Sequence, residues 1–103
     1  MKIYNKLVRD RIPEIIKKDN CIANIKILNE KDYKKELDKK LLEEVNEYLK
    51  DDNINEIADI LEVIYAILKL KNIPKEEIEQ IRIDKLKKRG AFEKRIFLEN
   101  VEE

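Results

Sequence analysis

The sequence predicts an all-α chain whose core is a helical hairpin in a four-helix-type bundle. Three observations predict it. The 103 residues include one glycine and two prolines, so few residues interrupt a helix, and the abundant Glu, Lys and Leu are strong helix formers. Apolar residues recur at helical spacing through two long central runs. Those runs are separated only by Asp51-Asp52-Asn53, a connection short enough to make them antiparallel neighbours. A chain of this length is expected to form a single domain, 1–103.

Taken in order, Pro13 suits the first turn of a helix, and Ile12, Ile15 and Ile16 give an apolar stripe, so a short helix is expected from Pro13 to Lys18. Asp19-Asn20 is a turn signal. Cys21 to Leu28 alternates loosely through Ile22, Ile25 and Ile27, which suits a short strand or an extended arm. Asn29 is an N-cap candidate for a helix from Glu30 to Lys50, with Leu37, Leu41, Val45 and Leu49 on its apolar face. Asn53 with Glu56 has capping-box spacing and opens a helix from Ile54 to about Lys71. That helix is apolar almost all round, a pattern of burial from several sides. One protomer has too little surface to cover it, so a homodimer or homotetramer is expected to complete the bundle. Asn72 and Pro74 end this helix and start a last one, which runs to about Arg89 and is capped by Gly90. The tail carries Phe92, Ile96, Phe97 and Leu98, and is expected to be anchored rather than free.

Charged residues are 45% of the chain and apolar residues 43%, enough to build a core. The formal net charge is zero, which gives no general attraction to nucleic acid or anionic lipid. No apolar run is long enough to span a membrane, and no signal peptide is visible at Met1–Lys6. A lone cysteine fits a reducing cytoplasm. With no histidine, cysteine–histidine zinc sites, Ser-His-Asp triads and cysteine–histidine dyads are excluded. Chemistry then falls to carboxylates, lysine, arginine or tyrosine, with a hard, oxygen-bound cation as helper.

The acids are not evenly spread. Residues 41–68 hold eight of them but only one basic residue, Lys50, against roughly six expected by chance from the chain's composition. Folded about Asp51–Asp52, an antiparallel hairpin sets Glu47 opposite Glu56 and Glu44 opposite Asp59, since the residue numbers of each pair add to the same total. Four carboxylates facing one another repel unless their pKa values rise or a cation joins them. Oxygen-only ligation suits Mg²⁺ or Mn²⁺. Spacing alone leaves this metal site and an ordinary solvated acidic face as equal alternatives. Asp59 leans toward the first, because aspartate is a poor helix former and this one lies mid-helix among apolar residues. Asp51 and Asp52 read as turn residues, and Glu62 as peripheral.

The pattern Glu43-Glu44-x-x-Glu47 followed by Glu56-x-x-Asp59 resembles the signature of the all-α nucleoside triphosphate pyrophosphohydrolases: the MazG type, their dimeric dUTPase relatives and phosphoribosyl-ATP pyrophosphohydrolase. The opening YNKLVRDRIPEII and the closing KLKKRGAFEKRIFLE resemble the ends of a small MazG-like, phosphoribosyl-ATP pyrophosphohydrolase-like group. One departure is visible: only eight residues separate Glu47 from Glu56, fewer than in the better-known branches, where a longer segment helps build the substrate pocket. The resemblance implies Mg²⁺-dependent hydrolysis between the α and β phosphates of a nucleotide, giving a nucleoside monophosphate and pyrophosphate. It implies Glu44, Glu47, Glu56 and Asp59 as metal ligands, with Glu43 joining the metal or orienting the attacking water. The remaining phosphate charge needs basic residues, for which Lys6, Arg9, Arg11, Lys85, Lys88 and Arg89 are candidates. Two rivals stand beside this expectation: a dedicated phosphoribosyl-ATP pyrophosphohydrolase of histidine biosynthesis, and a catalytically idle helical module that binds nucleotides or a protein.

Overall fold

A computed structural model describes residues 1–103. Every regular element in it is helical: α1 (Ile12–Lys18), α2 (Glu30–Asp51), α3 (Ile54–Leu70) and α4 (Lys75–Arg89). The chain divides into two compact units, Met1–Asn72 and Ile73–Glu103.

In the first unit, Pro13 in the first turn and Glu14 beside it favour the start of α1, while Lys17 and Lys18 match the negative end of its dipole. Asn20, at φ 60°, turns the chain out of it. The segment from Cys21 to Asn29 forms no strand. A lone strand would leave its N–H and C=O groups without a ladder, and the segment has no regular structure, with Ile22, Ile25 and Ile27 exposed.

Helix α2 begins where the Asn29 side chain accepts a hydrogen bond from the Asp32 N–H at 2.8 Å. It ends at Asp52, whose left-handed conformation (φ 48°) lets its N–H bond the Tyr48 carbonyl at 2.8 Å. Asn53 then caps α3, although not as a capping box with Glu56. Its side chain accepts from the Asn55 N–H at 2.8 Å, while the Glu56 N–H bonds the Asn53 backbone carbonyl. Helices α2 and α3 pack against each other along the expected hairpin. Leu37, Val63 and Leu68 are the buried residues of the chain. The wide apolar surface of α3 is only partly covered: Ile57, Ile60, Ile64 and Ile67 are half-buried, and Ile54 is 77% exposed. No helix is long and apolar enough to cross a membrane.

In the second unit, Pro74 precedes α4, whose first turn carries Glu76 and Glu77 and whose last carries Lys87, Lys88 and Arg89. This charge order complements the helix dipole. The tail departs from the anchoring expected of it. It has no regular structure, and Phe92, Ile96, Phe97 and Leu98 are all exposed. The all-helical hairpin architecture is compatible with a helical-bundle-type fold.

Leu37 is 2% exposed, so Leu37→Ala should destabilise the chain by about 3 kcal/mol in urea denaturation, the usual scale for a buried leucine. Gly90 ends α4 at φ 83° and ψ 178°, a region essentially restricted to glycine. A Cβ there would meet nothing within 4 Å, so the strain lies in the backbone alone. Gly90→Ala should therefore fray α4, with a cost of about 1 kcal/mol or more, readable as faster amide exchange over Leu86–Arg89.

Candidate metal centre

The hairpin register carries the acids. Glu43, Glu44 and Glu47 lie in the second half of α2, and Glu56 and Asp59 in the first two turns of α3. Because the turn at Asp52 and Asn53 is tight, these halves run side by side. Two overlapping groups result, with ligand oxygens in each lying within 4.8 Å of one another: Glu44, Glu56 and Asp59 in one, and Glu47, Asp51 and Glu56 in the other. All four acids named as metal-ligand candidates are thus drawn together, with Glu56 shared. Glu44, Glu56 and Asp59 are half-buried, whereas Glu47 and Asp51 are exposed.

Basic residues neutralise part of this charge. Lys6 Nζ lies 2.7 Å from Glu43 Oε1, and Arg9 Nη2 lies 2.7 Å from Asp59 Oδ1. Lys40 bridges two acids of its own helix, at 2.9 Å from Glu43 and 3.4 Å from Glu44, and its side chain is only 16% exposed. The hydrogen bond from Lys6, helped by Lys40, holds the Glu43 carboxyl below its ordinary value of 4.5, against the opposing effect of burial. The same bond to Glu43 raises the Lys6 pKa. Glu47, Asp51 and Glu56 have no ion pair. Glu56 shows the consequence. Burial pushes its carboxyl pKa up, and the charges of Asp59, Asp51, Glu44 and Glu47 push it further the same way.

The donor set is made of carboxylate oxygens only, which fits a hard divalent ion such as Mg²⁺ or Mn²⁺ and does not fit a thiophilic one. The upward shift at Glu56 comes first from burial and then from the acids around it. A cavity of about 170 Å³ in the first unit adjoins the cluster, lined by Leu37, Val63 and Ala66 as well as Arg9, Glu44 and Asp59.

The six basic candidates separate. Lys6 and Arg9 reach the acids. Arg11 bonds Glu14 at 3.3 Å within α1. Lys85, Lys88 and Arg89 are exposed on α4 in the second unit, without ion pairs. One participant differs from its sequence expectation, and another is an ordinary helical partner. Asp51, taken as a turn residue, is the last residue of α2 and lies one helical turn beyond Glu47, a spacing that puts both on one face. Lys40 stands three and four positions before Glu43 and Glu44, the spacing of an ordinary helical ion pair, and it pairs with both.

No protein-family model, no curated protein and no solved structure matches this chain.

The Lys6–Glu43 pair sets a pH dependence. A carboxyl whose pKa is lowered on folding contributes stability above its unfolded value, near 4.5, and loses that contribution as pH falls through the folded value. Both side chains are partly exposed, so the contribution is at most about 1 kcal/mol. Urea denaturation at neutral pH and near pH 3 should show a smaller acid-induced loss in Glu43→Gln than in the unaltered chain. Equal losses would mean that the pair contributes nothing.

Proposed function

We propose that this chain is a MazG-like, Mg²⁺-dependent nucleotide pyrophosphohydrolase that cleaves between the α and β phosphates, releasing a nucleoside monophosphate and pyrophosphate. The observation that carries this reading is the convergence of Glu44, Glu47, Glu56 and Asp59, with the Glu56 carboxyl pKa raised by burial and by its acidic neighbours. Such a cluster favours a divalent counter-ion over further lysines, because one small ion meets several carboxylates at once. The sequence pattern E-E-x-x-E followed by E-x-x-D, with its matching chain ends, supplies the reaction class.

In this reading Glu44, Glu47, Glu56 and Asp59 hold Mg²⁺, with Mn²⁺ as a substitute. When bound, the ion would lower the pKa of a water and neutralise charge on the phosphoryl oxygens. Glu43 acts on the water. Lys6 and Lys40 keep its carboxylate ionised at neutral pH, so it can accept a hydrogen bond and orient the nucleophile. Arg9 meets substrate phosphate, suited to grip two oxygens at once, while Lys6 stays beside it on Glu43 and adds positive charge. Arg11 bonds Glu14 rather than an acid of the cluster.

A homodimer or homotetramer belongs to the same proposal. A chain that is 43% hydrophobic buries only three side chains by itself and leaves Leu42, Leu49, Ile54 and Leu61 exposed along the hairpin. Exposed apolar surface on this scale marks an association surface. In a self-complementary bundle each copy would cover the other.

Pyrophosphate release should be measured with Mg²⁺ on a panel of NTPs, dNTPs and phosphoribosyl-ATP. A preference for phosphoribosyl-ATP would assign the chain to histidine biosynthesis, while silence across the panel with no Mg²⁺-dependent thermal shift would favour an idle binding module. Asp59→Asn and Glu44→Gln should each lower kcat/KM by about 100-fold or more, since loss of a ligand exceeds the usual effect of its outer partners. Size-exclusion chromatography with light scattering should report a dimer or tetramer, and a stable monomer would remove the oligomer from the proposal.

A further inference from the structure

The N-terminal segment stands apart from the rest of the first unit. Residues 1–9 have no helix or strand of their own, yet the segment is fastened to the hairpin at two points. Lys6 bonds Glu43 across 37 positions of sequence and Arg9 bonds Asp59 across 50, both at 2.7 Å. Between these fastenings Leu7 and Val8 line the cavity together with Leu37 and Val63 of the hairpin. The result is a strap with a charged anchor on each side of an apolar middle.

The anchors are weak by nature. Arg9 and Asp59 have side chains 57% and 37% exposed, and ion pairs in such settings hold only marginally against water. The carboxylate that Arg9 occupies is also one of three that converge, the others being Glu44 and Glu56. Arg9 and a divalent cation would draw on the same charge, and an ion shared by three carboxylates is held more strongly than a guanidinium held by one.

We propose that residues 4–11 form a counter-ion strap over the carboxylate cluster, seated by Lys6 and Arg9 in the cation-free protein and displaced when a divalent cation binds. The inference rests on the metal reading given under Proposed function. Cation entry takes the Asp59 charge from Arg9, and the strap lifts from the cavity. The guanidinium of Arg9 is then free beside the site to meet an anion. The order that follows is cation first and phosphate second.

Two measurements on the full chain test this. The first is Mn²⁺ affinity by calorimetry for the unaltered protein, Arg9→Gln and Arg11→Gln, without nucleotide. Losing the competitor should tighten binding about two- to five-fold in Arg9→Gln, on the scale of one exposed ion pair. Arg11→Gln removes the same charge from the same segment but not the Asp59 contact, and should leave the affinity unchanged. The second is limited trypsin digestion of the unaltered protein, read by mass spectrometry. Mn²⁺ should speed cleavage after Arg9 relative to cleavage after Arg89 in the same digest. If Mn²⁺ binds but Arg9→Gln binds no tighter than Arg11→Gln, and cleavage after Arg9 does not rise, the strap is refuted while the metal site stands. If Arg9→Gln weakens Mn²⁺ binding, Arg9 supports the site rather than competing for it, and the strap is again refuted. Absence of Mn²⁺ binding in all three proteins overturns the metal reading and the strap with it.

Discussion

The register of α3 against α2 depends on a single left-handed residue. Asp52 at φ 48° ends one helix, and Asn53 caps the next immediately afterwards. A longer or looser connection would let the two helices slide, and a shift of one position turns a helical side chain by about 100°. With the turn as tight as it is, Glu44 meets Asp59 and Glu47 meets Glu56. The carboxylate cluster, the basic residues that answer it and the cavity beside it all follow from that register.

The charge of the cluster is answered unevenly. On one side, Lys6, Arg9 and Lys40 contact Glu43, Glu44 and Asp59. On the other, Glu47, Asp51 and Glu56 lie close together without an ion pair, and the Glu56 carboxyl is pushed toward its neutral form by burial and by the charges around it. An ordinary solvated acidic face would spread its charges apart or pair them along the helix, as Lys34 with Asp38 and Arg82 with Glu79 do elsewhere in this chain. The unevenness separates this cluster from those routine pairs. It also makes Lys6 and Arg9 informative, because they come from a segment with no helical reason to be there.

The apolar side chains tell a second story. Leu37, Val63 and Leu68 form a small core in the first unit, while much of the aliphatic surface of α3 stays half-buried and the tail leaves its phenylalanines exposed. A helix that is apolar all round demands cover from more than one neighbour, and within one copy α2 is the principal helix packed on it. The proposed association of copies and the proposed chemistry thus draw on the same hairpin.

Much of this was legible in the residues. Asn29, Pro13, Pro74 and Gly90 mark helix ends by local chemistry, which acts within a few residues and needs no tertiary partner. The facing acids were readable too, because an antiparallel hairpin with a short turn obeys simple arithmetic. Asp51 and Lys40 were open to the same spacing argument, but their side chains had ordinary local roles available and nothing in the sequence ranked the two. What the sequence by itself determined is therefore the helices, the hairpin and the gathering of Glu44, Glu47, Glu56 and Asp59. Only the tertiary structure decided that Lys6 and Arg9, rather than Arg11, reach those acids, that Cys21–Asn29 has no regular structure, and that the tail lies uncovered. Helices and short turns are set by interactions among near neighbours, whereas segments without regular structure take their place from contacts 37 and 50 residues away, which no local pattern encodes.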